Sequence, residues 1–538
     1  MKRRKFLQLS ALSSASSLLL NGHKVKAFSE TALLNNIPED VIDGRTLVMV
    51  QMFGGNDGLN TVIPKDQYDD YASLRPSIKL RNTGNNAAID LDNTMASDKQ
   101  VHLHPSLTGF KSLYDAGKLN IIQSVGYPIV NKSHFAARAL MFKGGDGTPE
   151  NVNKSNGWMA RFLHSGYDHT KYADPLGIQL GSKKPSIGFH SEHEHKVDVN
   201  LSGQDPSDYY SIISNIGNPE PEVALGSEYA DNIDFVTGIE TSANNYSERI
   251  SSVFDAGNNS NVSYPNEDLA NQLKTVARMI KGGSKTKIFL VLIGGFDNHA
   301  GQVESGDSHL GQHASLLKTV GDSIKAFQDD IETLGVAEKV VTATFTEFGR
   351  KPRENGNLGT DHGNLGPMFV IGKHVKGGIT GHNMDLSNIV KHFDETKMQH
   401  DYRQVFSTLI SDFLGATPSV IEGTEFTAFD GENKLSLIQD AHSVASTDIN
   451  AVSETSMFVA PNPVYDTCVL KYTSSMMFRG HIVMYGMDGS QAFHIAHDFT
   501  PGMNHLPMNI EHLSSGTYVT AIKDSYGATI GTFQVLKQ

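Results

Sequence analysis

Asp57, Asp297, His299, Asp361 and His362 share one setting in the sequence: each stands shortly after an apolar, largely β-branched run. Thr46 to Phe53 (TLVMVQMF) breaks at Gly54-Gly55-Asn56-Asp57-Gly58. Lys287 to Ile293 (KIFLVLI) breaks at Gly294-Gly295-Phe296-Asp297-Asn298-His299. Val340 to Phe345 (VVTATF) leads to Glu347 and a loop rich in Gly and Asn that delivers Asp361-His362-Gly363. Runs of this length and composition read as buried strands. Ligands of an open α/β sheet lie beyond the carboxyl ends of its strands, so the three turns are expected to build one site from distant sequence. Carboxylates and imidazoles suit hard and borderline divalent ions. Cys468, the only cysteine, rules out a thiolate cluster. The ligand set therefore points foremost to zinc or manganese, with magnesium or calcium also compatible. So many acids and histidines could hold two ions about 3.5–4 Å apart, the spacing that clamps attacking and leaving oxygens in phosphoryl transfer. A lone Asp-His-Gly is commonly a turn in which Asp bonds its own backbone; the joint occurrence at strand ends favours a site.

Two further groups have an acid or a strand end beside them. Ser133, in Asn131-Lys132-Ser133-His134, opens a helical run. It is either a helix cap or a nucleophile favoured by the exposed amides of a helix N-terminus. Arg350, Lys351 and Arg353 are either a solvated charge run or an anion clamp, since Arg binds phosphate and sulfate oxygens bidentately. Glu347 is placed to orient Arg350. His102, His104, His164, His190, His193 and His195 have no strand-end placement and read as surface or core histidines.

The elements that must position these groups alternate between strand and helix. Leu119 to Val125 reads as a strand, followed by helical runs over Phe135 to Phe142, Asn266 to Ile280 and Leu310 to Leu334, and a packing helix over Tyr402 to Leu414. Strand–helix–strand order predicts parallel pairing with right-handed crossovers. The 538 residues exceed one ordinary domain. A net charge of −14 argues against a nucleic-acid surface. Residues 1–27 read as a twin-arginine leader: Arg3-Arg4, a Ser- and Ala-rich apolar stretch, then Val25-Lys26-Ala27. That stretch is too short for a membrane span, which needs roughly 20 residues. From about Ala416 periodicity fades, so 40–420 is expected to be the α/β domain and 421–458 a linker. Residues 459–538 read as a small β-sandwich of short strands and turns.

Gly54 to Thr61, Asn131 to Phe135, Gly294 to His299 and Thr346 to Gly363 resemble the exported domain-of-unknown-function 1501 family, grouped with the alkaline phosphatase and sulfatase superfamily. The resemblance covers about residues 40–420 and implies a mostly parallel sheet between helix layers. It also implies one metal held by Asp57, Ser133 as nucleophile, Asp361 and His362, and a second held by Asp297, His299 and His382. No Cys or Ser stands in a C/S-x-P-x-R context, which argues against a formylglycine-type sulfatase. Ala460 to Pro463, Met487-Asp488-Gly489, Leu513 to Tyr518 and Val535-Leu536-Lys537 resemble the type A sorting domain of type IX secretion.

The function expected from these readings is a metal-dependent hydrolase of phosphate or related oxyanion esters, with Ser133 attacking and Arg350 stabilising the transferring group. Its substrate would be a small molecule or a glycan ester. Its export partners would be the twin-arginine and type IX machineries, and its destination the cell surface or the medium by way of the periplasm. The alternative is a non-catalytic surface protein of the same fold that binds an anionic glycan or another ligand.

Overall fold

Along Thr46–Met52 (β1) the side chains divide between two apolar layers, Leu47 and Met49 entering one and Val48 and Val50 the other. Successive side chains of a strand point to opposite faces, so a run apolar at every position demands cover on both sides. The covering helices are α1 (Thr108–Asp115), α2 (His134–Lys143), α3 (Trp158–Gly166), α4 (Asp268–Lys281), α5 (Gln312–Thr333) and α6 (Tyr402–Asp412). Met141, Trp158 and Phe406 of α2, α3 and α6 pack in the first layer. Phe110, Leu273 and Phe327 of α1, α4 and α5 pack in the second. This is an α/β sheet sandwiched by helices.

The other strands of the sheet are β2 (Leu119–Gly126), β3 (Gly177–Gln179), β4 (Asp198–Asn200), β5 (Ile288–Ile293), β6 (Val340–Phe345), β7 (Gly366–Gly372), β8 (Gly378–Thr380) and β9 (His400–Asp401). Their order is β8–β2–β7–β6–β1–β5–β3–β4, with β9 beside β2. Ile288 of β5 pairs with Leu47, and Val340 of β6 with Thr46, both parallel. β7 runs antiparallel to β6 and to β2; two reversals return β2 to the direction of β1. The carboxyl ends of β1, β2, β5 and β6 therefore open on one edge.

This computed structural model describes residues 18–20, 23–25, 44–148, 156–167, 172–182, 186–191, 198–201, 246–439 and, with short gaps, 458–538. The chain forms two compact units, Met1–Ala441 and His442–Gln538. The leader expected over 1–27 lies outside the described residues except for an antiparallel pairing of Leu18–Leu20 with His23–Val25. The stretch expected as linker from 421 begins later. Val420, Ile421, Phe426, Leu437 and Ile438 are buried in the first apolar layer, at spacings too irregular to show a period. Residues 442–457 lie outside the described residues.

The second unit is a sandwich of antiparallel strands. One sheet has the order Phe458–Ala460, Thr467–Ser474, Gly502–Asn509; the other has Gln491–Phe499, Phe478–Gly486, Gly516–Lys523, Thr529–Lys537. Leu470, Ile482, Phe499, Ile522 and Val535 are among the residues of its core. Among the described residues no helix is long and apolar enough to cross a membrane.

Candidate metal centre

Two glycines set how closely the turns of neighbouring strands approach. Gly54 (φ +122°) would place a Cβ 2.4 Å from the Asp297 backbone nitrogen, and Gly55 (φ +79°) would place one 2.6 Å from the Phe348 ring. Only a residue without Cβ fits both the backbone and the space. Into this junction runs Arg350, whose side chain is fully buried. Its Nε donates to Gly55 O (2.8 Å), its Nη1 to Thr360 O (2.8 Å), and its Nη2 to Gly54 O, Phe296 O (2.9 Å) and Asp297 Oδ1 (2.7 Å). Arg350 thus ties together the loops after β1, β5 and β6. The role expected for it, clamping a substrate anion, does not hold: burial forces its donors onto carbonyls and Asp297, because an unpaired buried guanidinium is strongly unfavourable.

Three imidazoles converge on the same carboxylate oxygen. Nε2 of His134, His299 and His362 lie 3.3, 3.2 and 3.1 Å from Asp297 Oδ1. The other nitrogen of each ring is held by an oxygen: His134 Nδ1 by Glu347 Oε1 (2.8 Å), His362 Nδ1 by Lys132 O (2.7 Å), and His299 Nδ1 by Asp361 Oδ1 (3.3 Å). A carbonyl or carboxylate accepts, so each Nδ1 carries the hydrogen and each Nε2 turns a lone pair inward. His299 Nε2 and His362 Nε2 are 2.8 Å apart, and His134 Nε2 is buried without a well-formed hydrogen bond. Lone pairs gathered in this way require a proton or a cation among them. His134, Asp297 and His362 offer three ligand atoms within 4.8 Å of one another. The edge of a tetrahedron of zinc ligands at about 2.0–2.1 Å is about 3.3 Å, and the distances of the three nitrogens from Asp297 Oδ1 match it. Phe348 packs on both His134 and His362, with ring centroids at 4.8 and 4.6 Å, which fixes their planes.

Charge follows the same geometry. Burial works to raise the Asp297 pKa, but the Arg350 guanidinium that donates to it, and then the His362 ring beside it, bring it to about 2. The Glu347 hydrogen bond raises the pKa of His134 against its burial. Burial lowers that of His362. Asp361 is lowered despite its burial, by hydrogen bonds from Asn355, His392 and His299.

With these elements in place, comparison with known proteins adds the following. A family model described as a protein of unknown function (DUF1501) matches residues 240–405. That span holds Asp297, His299, Glu347, Arg350, Asp361, His362 and His392, and leaves out Asp57 and His134. Among solved structures, the chain is similar to a protein in the alkaline phosphatase superfamily from Vibrio parahaemolyticus, at 11% identity over 72% of this chain and 73% of that one, with a TM-score of 0.28. It is also similar to the lipoteichoic acid synthase LtaP from Listeria monocytogenes, at 7% identity over 64% and 69%, TM-score 0.27. A 2-O GAG sulfatase matches at 8% identity over 84% and 85%, TM-score 0.26. Likenesses this distant say nothing of activity. No curated protein sequence matches the chain.

Of the residues expected at the site, the fold brings together Asp297, His299, Asp361, His362 and Arg350. Asp57 it does not. Its carboxylate is 2% exposed and bound by Arg75, Nη1 at 2.6 Å and Nη2 at 2.9 Å, and by Gln302 Nε2 at 2.5 Å. Burial works to raise its pKa, and Arg75 holds it below the ordinary value. This carboxylate is sealed from water and its charge is balanced by a guanidinium, so Asp57 leaves the ligand set. His382 also falls away: its Nδ1 takes Asp98 Oδ2 at 2.7 Å. The histidine that reaches the acids is His392, with Nε2 3.0 Å from Asp361 Oδ2. Glu347 orients His134 and the Gly54 amide (2.9 Å) in place of Arg350. Among the described residues one group suited to a metal is found, His134, Asp297 and His362, where ligands for two ions were expected. Ser133 is exposed at the N-cap of α2, and its side chain makes no cap bond. His102 and His104 are buried, as expected of core histidines, while His193 and His195 lie outside the described residues.

The residue of this cluster missed in the sequence is His134. Its signal was its place at the start of a helix that follows a strand, the setting used for Ser133 one residue earlier.

Proposed function

We propose that this protein is a metal-dependent hydrolase of phosphate esters or related oxyanion esters, with its ion held by His134, His299, His362 and Asp297. One observation carries the reading: three imidazoles turn Nε2 inward on a single carboxylate oxygen, while an oxygen outside the cluster holds each Nδ1. Oriented imidazoles of this kind are the usual surroundings of a ligated metal, and three nitrogens with one oxygen favour zinc or manganese over magnesium or calcium. Such an ion supplies positive charge for a bound oxyanion and for the charge that develops on its oxygens. The residues of the chain do the rest. Arg350 keeps Asp297 in place and ionised. Glu347, Asp361 and the Lys132 carbonyl fix the three rings. Ser133 stands between Lys132 and His134, two residues that touch the centre, with its hydroxyl uncommitted to a cap, and is assigned as the nucleophile. The Asp297 side chain is 47% exposed, which gives a substrate its way in.

The second unit has no group of three or more acids and histidines suited to a metal among its described residues. This supports a role in addressing the protein and not in the chemistry. Together with the Arg3-Arg4 leader it supports export by the twin-arginine and type IX machineries.

The test is elemental analysis of the purified full-length chain beside hydrolysis of p-nitrophenyl phosphate. About one zinc or manganese per chain is expected, with turnover lost on chelation and restored by the ion. Ser133→Ala is expected to keep the metal and lose turnover by orders of magnitude. A chain that takes up neither ion ends this reading. Metal without turnover on activated phosphate or sulfate esters would turn it to the binding protein of the same fold.

A further inference from the structure

Two His-Phe pairs frame the centre. His134 turns inward to Asp297, and the next residue, Phe135, is 82% exposed; His392 bonds Asp361, and the next residue, Phe393, is 79% exposed. Ile129, Phe135, Val390, Phe393 and Met398 make up five of the nine large apolar side chains that stand in solvent among the described residues. All five lie on two segments, 129–135 and 390–398. Lys132 and Glu395 join these segments in an ion pair. Lys351 Nζ lies 4.3 Å over the Phe393 ring and holds it in place. Apolar side chains scattered singly over a surface are ordinary, whereas a gathering of them marks a binding site.

We infer that Phe135 and Phe393 hold the apolar part of the substrate, an oxyanion ester whose alcohol is an alkyl or aryl group and whose anionic head meets the metal centre. The inference rests on the function proposed above and names the substrate class of that site. The occupant follows from the placement. A group held at the centre must be an anion or an oxygen donor. The rings are tied through their histidines to the two acids of the centre, not spread over an outer face, which favours part of a substrate over a membrane or a second protein. A sugar phosphate without an apolar group would leave both rings in water.

The experiment is calorimetric binding of methylphosphonate and hexylphosphonate to the full-length zinc-loaded chain, wild type and Phe135→Ala/Phe393→Ala. Both substitutions are at exposed positions, and circular dichroism checks the fold. Hexylphosphonate is expected to bind about tenfold tighter, the gain that burying roughly two methylenes supplies. The double variant is expected to lose that gain and to keep its affinity for methylphosphonate. If methylphosphonate binds and hexylphosphonate binds no tighter, or the gain survives in the variant, the inference fails and the metal centre stands. A gain seen only when the alkyl chain is presented in phosphatidylglycerol vesicles overturns it in favour of a membrane surface. If neither phosphonate binds, the oxyanion reading of the centre itself fails.

Discussion

Asp57 and Asp297 each follow a Gly-Gly pair after neighbouring parallel strands in matched register, yet their carboxylates end in opposite surroundings. Asp57 is sealed from water against Arg75, whose guanidinium also donates to Pro352 O, Lys351 O and Asn60 Oδ1. Asp297 has Arg350 on one oxygen and three imidazole nitrogens around that same oxygen, and it stays open to solvent. The first charge is balanced by a cation built into the chain. The second lies among lone pairs that exceed the cations present, so balance there must be brought in. A carboxylate at a strand end is closed off when the fold supplies its counter-charge in full and seals it from water, and stays available to a ligand when it does not.

This contrast can be broken on either side. The largest effect is expected at the sealed acid: Asp57→Asn leaves Arg75 buried and uncompensated, and should remove about 3–5 kcal/mol of stability in urea unfolding. Its folded fraction should retain the metal; metal lost from a folded Asp57→Asn chain would return Asp57 to the ligand set. Acid should act next, through a neighbour of that site. Burial lowers the pKa of His313 to about 4, and its Nε2 donates to Asn56 Oδ1 at 3.0 Å. The unfolded chain, titrating near pH 6.5, binds this proton more readily. Stability is therefore complete above about pH 6.5 and falls by up to about 3 kcal/mol as pH drops to about 4. Urea midpoints of wild type and His313→Gln over that range measure the difference, and parallel curves would refute the assignment.

At the open acid the cost in stability should be smaller, because Arg350 keeps its four carbonyl partners and the site is open to solvent, whereas metal affinity should fall. Asp297→Asn is expected to bind zinc more than about a hundredfold more weakly, since loss of a partner one bond further out already weakens binding about 10–100-fold. Competition with a chromogenic chelator reads this directly, and unchanged affinity would remove Asp297 from the centre. The smallest effect is that outer one: Glu347→Gln should weaken zinc about 10–100-fold by loosening the His134 ring. An affinity equal to wild type would mean that Phe348 packing alone orients the ring.

Much of the fold was legible because its signals are local. Apolar runs gave β1, β2, β5 and β6, helical spacing gave α4, α5 and α6, and glycine turns placed Asp297, His299, Asp361 and His362 on one edge. The readings that failed concern partners. Arg75 sits in Ser73-Leu74-Arg75-Pro76, which gives no local sign of burial. His382 and His392 both follow the last acid pair in sequence, in a stretch without regular period, so spacing could not choose between them. His134 reaches the centre only because β7 reverses twice between β6 and β2 and so brings the start of α2 to the shared edge. From the sequence alone came the strands, their turns and the kinds of ligand waiting at their ends, since burial period and backbone freedom are properties of short stretches. Only the tertiary structure decided which acid took a guanidinium 18 positions away and which took an imidazole from the start of α2, an imidazole held by Glu347 from 213 positions away. Electrostatic balance depends on distances in space, and those are set when the sheet closes.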